Sequence, residues 1–271
     1  MYLKTNFTHV EVTIMKHRPI IAAMLSALFF AQLIPYSAWA GEMCSKSSPT
    51  HSAALLELYS SEGCSSCPPA DKLLSQLATG SDANLLVPLA LHVDYWDYLG
   101  WQDRFASSQF TARQRTLSAA AHSNTIYTPE FFLNGQEFRG SMSELRDAVA
   151  RINQQPAKAS IKLNQEPILA DKLPLTVTAN SSQAGTVYVA LTEQGLVSKV
   201  KAGENGGATL HHDAVARDWL AAFSFPANKS MTSKVTLTIP TDAVVANLTV
   251  VGFIQDQSGT VLQSIRLPVC H

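Results

Sequence analysis

Charge is scarce in this sequence. Asp, Glu, Lys and Arg make up 15% of its 271 residues, and the formal net charge is −1. No basic stripe of the kind that follows a nucleic-acid backbone occurs, and no charge run suggests an acidic tail or a membrane-surface patch. Nucleic acid is therefore not expected as a partner. Familiar catalytic signatures are also missing. There is no Gly-x-Ser-x-Gly, so a serine hydrolase has no support. The glycine-rich stretch Gly203-Glu204-Asn205-Gly206-Gly207 lacks the Lys-Ser/Thr of a phosphate loop. It reads as a long hairpin connection that could contribute to partner recognition. Internal repeats and low-complexity segments are absent. Cysteine is used sparingly: there are four, and no second Cys-x-x-Cys or His-x₃-His stands at zinc-finger spacing from the first.

The first forty residues form a recognisable unit. Met15-Lys16-His17-Arg18 is a short basic start, Ile20 to Leu33 is apolar, and Ala38-Trp39-Ala40 is a small-residue cleavage site. This is the layout of a secretory signal cleaved after Ala40, with Met15 a candidate start. The apolar run is short for a membrane span of roughly 20 residues. The expected location is periplasmic or secreted, with no membrane attachment after cleavage. Three of the 20 basic and one of the 21 acidic side chains fall before residue 41, so the remainder carries a net charge near −3.

All four cysteines lie beyond that segment, and in an oxidising compartment an even count usually means pairing. Cys64 and Cys67 are close enough to pair locally. Cys44 and Cys270 remain, and a structural disulfide between them would tie the ends of the exported chain together. Free thiols at frayed ends are the competing reading.

Ala53 to Tyr59 is a nearly continuous apolar run, as expected of a strand buried on both faces. After Cys67, Leu73, Leu74 and Leu77 have helical spacing up to Thr79-Gly80, and Leu85 to Val93 reads as a second buried strand. Strand, helix and strand at these lengths make a βαβ unit. Residues 103–122 read as a helix, and Asn134-Gly135 between apolar runs signals a hairpin. Ser141 with Glu144 forms a capping box for a helix whose Leu145, Ala148, Val149 and Ile152 share one face. Gln154-Gln155-Pro156 reads as a linker. From Ala159 onward, alternating runs rich in Val, Thr and Leu predict an all-β sandwich, interrupted by a helical stretch from His212 to Leu220.

The chemistry centres on Cys64-Ser65-Ser66-Cys67. At the start of a helix that follows a strand, unpaired backbone N–H groups and the helix dipole favour thiolate over thiol. Cys64 is the expected nucleophile and Cys67 the resolving thiol. Pro68 and Pro69 are tolerated because the first helical turn has no internal partners for its N–H groups. In "LHVDYWDYLGW", His92 and Asp94 fall near the carboxyl end of the second strand, where α/β sheets place ligands. Alternation would point both to one face, with Tyr95 and Trp96 over the dithiol. One reading makes His92 or Asp94 a proton shuttle or substrate contact. The other makes them a satisfied histidine and a capping aspartate. Metal binding by Cys64, Cys67 and His92 is a weaker alternative.

The element order resembles the thioredoxin fold, with Cys64–Cys67 at the place of its redox dithiol and Thr128-Pro129 at that of its cis-proline. That resemblance implies a cis Pro129 facing the dithiol. It also makes Glu57 the counterpart of the buried proton-accepting carboxylate, although one residue further from the cysteine. The residue before the first cysteine is Gly63 rather than an aromatic, and Ser65-Ser66 replaces Gly-Pro. More narrowly, "ELYSSEGCSSCPPAD", "HVDYWDYLGW" and "YTPEFFLNG" are similar to an uncharacterised family of exported bacterial proteins, the domain of unknown function numbered 1223. The expected fold class is an α/β thioredoxin-like domain, residues 41–155, followed by a β-sandwich domain, residues 156–271. The expected activity is thiol–disulfide exchange on exported proteins or small thiols, without an organic cofactor and recycled by a redox partner. Cys64, Cys67, Pro129 and Glu57 form the expected catalytic set, with His92, Asp94, Trp96 and Thr128 on the substrate side. The alternative is a redox-silent or copper-handling binding protein.

Overall fold

The structure is a computed structural model, and it describes residues 44–80 and 86–271. The signal-like segment of residues 1–40 lies outside the described residues. The chain begins with β1 (Ser45–Ser47), β2 (Ala54–Ser60), α1 (Pro68–Thr79), β3 (Leu86–His92) and α2 (Ser108–Ala120). Then come β4 (Glu130–Leu133), β5 (Gln136–Phe138) and α3 (Met142–Asn153). The rest is strand: β6 (Ala159–Gln165), β7 (Lys172–Ser181), β8 (Gly185–Glu193), β9 (Leu196–Lys199) and β10 (Thr209–His212). Last are β11 (Val215–Phe225), β12 (Lys229–Thr238), β13 (Leu248–Gln255) and β14 (Val261–Pro268). No helix among the described residues is long and apolar enough to cross a membrane.

The expectation of a thioredoxin-like domain followed by a separate sandwich is corrected here. Eight strands, in the order β14-β13-β8-β11-β3-β2-β4-β5, form one hydrogen-bonded sheet. Strands from the C-terminal half thus continue the sheet that β2 and β3 begin. The junction is β11, antiparallel to β8 along most of its length and bridged in parallel to β3 at Val215–Ala90. A four-stranded sheet, β1-β6-β7-β12, and the hairpin β9–β10 complete a predominantly β architecture. The reading of His212 to Leu220 as a helix is corrected as well. Those residues end β10 and run into β11, where pairing along β8 overrides local propensity.

Alternation along the central strands sorts the core. On β2, Leu56 and Leu58 face Leu74, Leu77, Leu145 and Val149 of α1 and α3. Leu55 and Tyr59 face the other way, toward Phe110 and Leu117 of α2 and the rings of Phe132 and Phe253. The inner face of the four-stranded sheet, including Ile161, Leu163, Leu175 and Val177, packs on Val189, Val250 and Ile265 of the large sheet. Each such side chain contributes about 1.5–3 kcal/mol on burial, which sets the two layers against each other. At the periphery Asn134 (φ 49°) and Gly135 (φ 81°) make the tight turn between β4 and β5. Ser141 and Glu144 cap α3 reciprocally. Residues 154–157 turn directly from α3 into β6, and Ala157 N–H donates to the Thr50 carbonyl.

Candidate functional site around the Cys64–Cys67 disulfide

The parallel pair β2–β3 ends with Ser60 opposite His92, and the chain leaves β2 through Ser61-Glu62-Gly63. Cys64 N–H donates to the Ser61 carbonyl, and Cys67 N–H to the Cys64 carbonyl. Cys67 is the N-cap of α1, with Pro68 and Pro69 in the first turn. Cys64 and Cys67 are joined in a disulfide with Cα atoms 5.4 Å apart. Both residues are 0% exposed, whereas Ser65 and Ser66 between them lie on the surface.

Three elements close over the sulfurs. The Thr128 carbonyl oxygen stands 3.7 Å from Cys64 Sγ, and the Thr128–Pro129 peptide is cis. Trp96 donates from Nε1 to Thr128 Oγ1 at 2.7 Å. Trp96 lies so close to Gly63 that a Cβ there would sit 3.0 Å from Trp96 Cβ and 3.3 Å from its carbonyl oxygen. That contact explains why glycine precedes Cys64. The third element is the glycine-rich loop between β9 and β10. Glu204 Oε2 accepts from Ser65 N–H at 2.9 Å, which holds its carboxyl below the usual range. Asn205 Nδ2 donates to the carbonyls of Glu62 and Cys64, at 2.8 and 2.9 Å.

Beside the dithiol, under the α1 N-terminus, sits a cluster of ionisable groups that local patterns did not assemble. Asp71, one turn beyond Cys67, accepts at Oδ1 from Ser60 Oγ at 2.7 Å, and burial pushes its pKa up. His92 pairs through Nδ1 with Asp103 Oδ2 at 2.7 Å, both side chains fully buried. Burial alone would discharge this imidazole. Asp103, aided by Asp71 and Glu62, outweighs it and pushes the His92 pKa up to about 9. Asp103 suffers the same burial, but His92 and the backbone N–H groups of Glu62 and Phe105 hold its pKa down. His212, from β10, lies 3.3 Å from Glu62 Oε1 through Nε2 and 3.7 Å from Asp71 Oδ2 through Nδ1. The other Glu62 oxygen accepts from Trp101 Nε1 at 2.7 Å.

Of the residues singled out from sequence, Cys64, Cys67, Trp96, Thr128 and Pro129 are brought together. Glu57 is not, and its assignment as the proton acceptor of the dithiol is corrected. It lies on the α2 face of β2, opposite α1, in a two-pronged pair with Arg113 at 2.5 and 3.1 Å. Tyr59 OH donates to it as well. Asp94 is also turned away, accepting from Thr111 Oγ1 on α2 at 2.6 Å. Cys64, Cys67 and His92 do not form one donor set, since the sulfurs are bonded to each other and His92 groups with Asp71 and His212. Cys44 and Cys270 form a second disulfide. His211-His212 stands out in the sequence as a further pair of possible metal ligands, but no motif marks Asp71, Asp103 or Glu62. Asp71 is one turn from Cys67, a readable signal, but no local pattern joins His212 to His92 across 120 residues.

A family model described as a protein of unknown function (DUF1223) matches residues 55–255. Among solved structures, protein AGR_C_4864 from Agrobacterium tumefaciens superposes with a TM-score of 0.60 at 24% identity, over 82% of this chain and 97% of that one. That likeness concerns the fold. The β-glucosidase DesR of Streptomyces venezuelae (TM-score 0.20, 15% identity) matches 40% of this chain and 14% of its own. A β-glucosidase of Kluyveromyces marxianus (TM-score 0.17, 14% identity) matches 39% and 13%. Neither resembles this fold closely enough to bear on it. No protein of curated function matches the chain.

Proposed function

The chain belongs to the DUF1223 family, which carries no assigned activity, and from that premise we propose that Cys64–Cys67 performs thiol–disulfide exchange on exported proteins or small thiols. The observation that carries this reading is the position of the disulfide. Cys67 caps α1, and Cys64 Sγ faces the Thr128 carbonyl. The positive end of the α1 dipole favours Cys67 as the thiolate leaving group, although Pro68 and Pro69 bring no N–H to the first turn and the N–H groups of Ala70 and Asp71 are bonded to the Cys67 carbonyl. A substrate thiolate attacks Cys64 Sγ, the Cys64–Cys67 bond breaks, and the electron pair passes to Cys67. A second substrate thiolate then attacks the mixed disulfide and frees Cys64. The substrate dithiol leaves as a disulfide, and two electrons reside in the protein until a second dithiol–disulfide partner removes them. With the reduced protein the same steps run in reverse. The signal-like segment of residues 1–40 supports a periplasmic or secreted site of action.

Because both cysteines are buried, exchange requires the Gly203–Gly207 loop to lift from Ser65 and Cys64. The test is the Cys64–Cys67 equilibrium in glutathione buffers of graded poise, with Cys64→Ser as control. A midpoint between roughly −120 and −270 mV, the span of known oxidoreductases, supports exchange and sets its direction. A bond still oxidised well below about −300 mV marks a structural staple and overturns the proposal.

A further inference from the structure

Asp71, His92 and His212 come from α1, β3 and β10, and each offers a ligand atom within 4.8 Å of the others. All three are buried, at 6%, 0% and 2% exposure. Asp71 and His92 each have one atom held by a hydrogen bond, and His212 faces a carboxylate. Asp71 Oδ1 accepts from Ser60, and His92 Nδ1 pairs with Asp103. His212 Nε2 lies 3.3 Å from Glu62 Oε1. His92 Nε2 and both ring nitrogens of His212 are buried and make no hydrogen bond. A protein interior rarely leaves three imidazole nitrogens in that state, because the desolvation of each buried polar atom then goes uncompensated. The two rings meet edge to face at 5.0 Å, and Phe105 walls them on one side.

From this geometry we infer that Asp71, His92 and His212 form a binding site for a divalent transition metal, zinc first among the candidates. Two imidazole nitrogens and one carboxylate oxygen are a zinc donor set that leaves the fourth position to water. Asp103 and Glu62 stand behind the two histidines as the carboxylates that orient metal-bound imidazoles usually do. An open groove of about 410 Å³, lined in part by Pro68, Lys72 and His211, reaches Asp71 and His212 from outside. Neither sulfur belongs to this donor set, so its test is independent of the exchange reaction.

The test is zinc binding to the purified chain after chelation and dialysis, by calorimetry and by metal content. The expected result is one zinc per chain, with a rise in melting temperature that grows with free zinc. His212→Gln and Asp71→Asn should each weaken binding at least about 100-fold. Asp103→Asn, a positioning residue, should weaken it about 10–100-fold. Cys64→Ser/Cys67→Ser should leave it unchanged. Cobalt(II) substitution in the unmutated protein keeps the test independent of variant folding. It should give visible d–d bands without the charge-transfer absorption of a thiolate ligand. Binding below one-tenth of an equivalent, binding unaltered in folded His212→Gln, or thiolate absorption with cobalt would each overturn the assignment.

Discussion

At the scale of single residues, the interior of this protein is unusually ionic, and its charges do different work. Glu57 and Arg113 are buried together, and the Arg113 guanidinium lies 5.0 Å from the ring centres of Tyr188, Trp219 and Phe253. Removing one partner strands the other charge. Arg113→Met should therefore cost about 3–5 kcal/mol in denaturant unfolding, while Glu57→Met/Arg113→Met should recover much of the loss. Additive losses would show that the pair is not coupled. Glu130 is the opposite case, a carboxyl only 1% exposed. Burial raises its pKa to about 7; Gln114 and Ser118 oppose the rise, Glu137 adds to it, and Arg139 works against it. Its folded pKa exceeds the ordinary 4.5, so the folded protein holds this proton longer than the unfolded chain does. Stability therefore falls at this site as pH rises from about 4.5 to 7, by about 3 kcal/mol at most. Unfolding free energies measured at pH 5 and pH 8 should differ less in Glu130→Gln than in the unmutated protein. Equal differences would place the Glu130 pKa back at its ordinary value.

Elements bring these residues together, and here the loop between β9 and β10 matters most. Its hold on the dithiol consists of Glu204 on Ser65 and Asn205 on Glu62 and Cys64. Asn205→Ala removes two of those hydrogen bonds from an edge that is otherwise polar and close to solvent. Dithiothreitol should then reduce Cys64–Cys67 about 5–10-fold faster, the kinetic equivalent of about 1–1.4 kcal/mol from lost hydrogen bonds. An unchanged rate would mean that Trp96 or another contact controls access. Signals carried within one element were readable in sequence. Pro68 and Pro69 at a helix start, Asn134-Gly135 at a tight turn and Ser141 with Glu144 at a cap each act over a few residues. Strand parity also encodes the place of Glu57. That residue shares its face with Leu55 and Tyr59, opposite Leu56 and Leu58, which pack on α1. What stayed hidden depends on pairing at long range. The register of Val215 on Ala90 merges the two halves into one sheet, and the β9–β10 hairpin carries both the loop over Cys64 and His212 beside His92. No periodicity within β10 or β11 encodes that placement, and the mixed polar run Ala216-Arg217-Asp218 even imitates a helix.

For the whole molecule the question is what joins the two sheets, beyond the core between them. Cys44 precedes β1, which lies at one edge of the four-stranded sheet, and Cys270 follows β14, at one edge of the eight-stranded sheet. Their disulfide spans 226 residues of sequence and links those two edges covalently. Gln165 on β6 reinforces the junction, accepting from Cys270 N–H at 3.0 Å and donating to its carbonyl at 2.7 Å. A closed loop of that length restricts the unfolded chain by about 5 kcal/mol in the chain-entropy model, a ceiling that measured bonds often fall short of. Cys44→Ser/Cys270→Ser should therefore lower the unfolding free energy by about 2–5 kcal/mol. The denaturant dependence should also steepen, because the released unfolded chain exposes more surface. The Cys64–Cys67 bond closes only a three-residue separation, so Cys64→Ser/Cys67→Ser lacks that entropic leverage and should cost much less. Chemical unfolding of the two double variants side by side separates the roles. A larger loss from the Cys64 and Cys67 substitutions would make the short disulfide the structural tie and remove the ground for treating it as a reactive one.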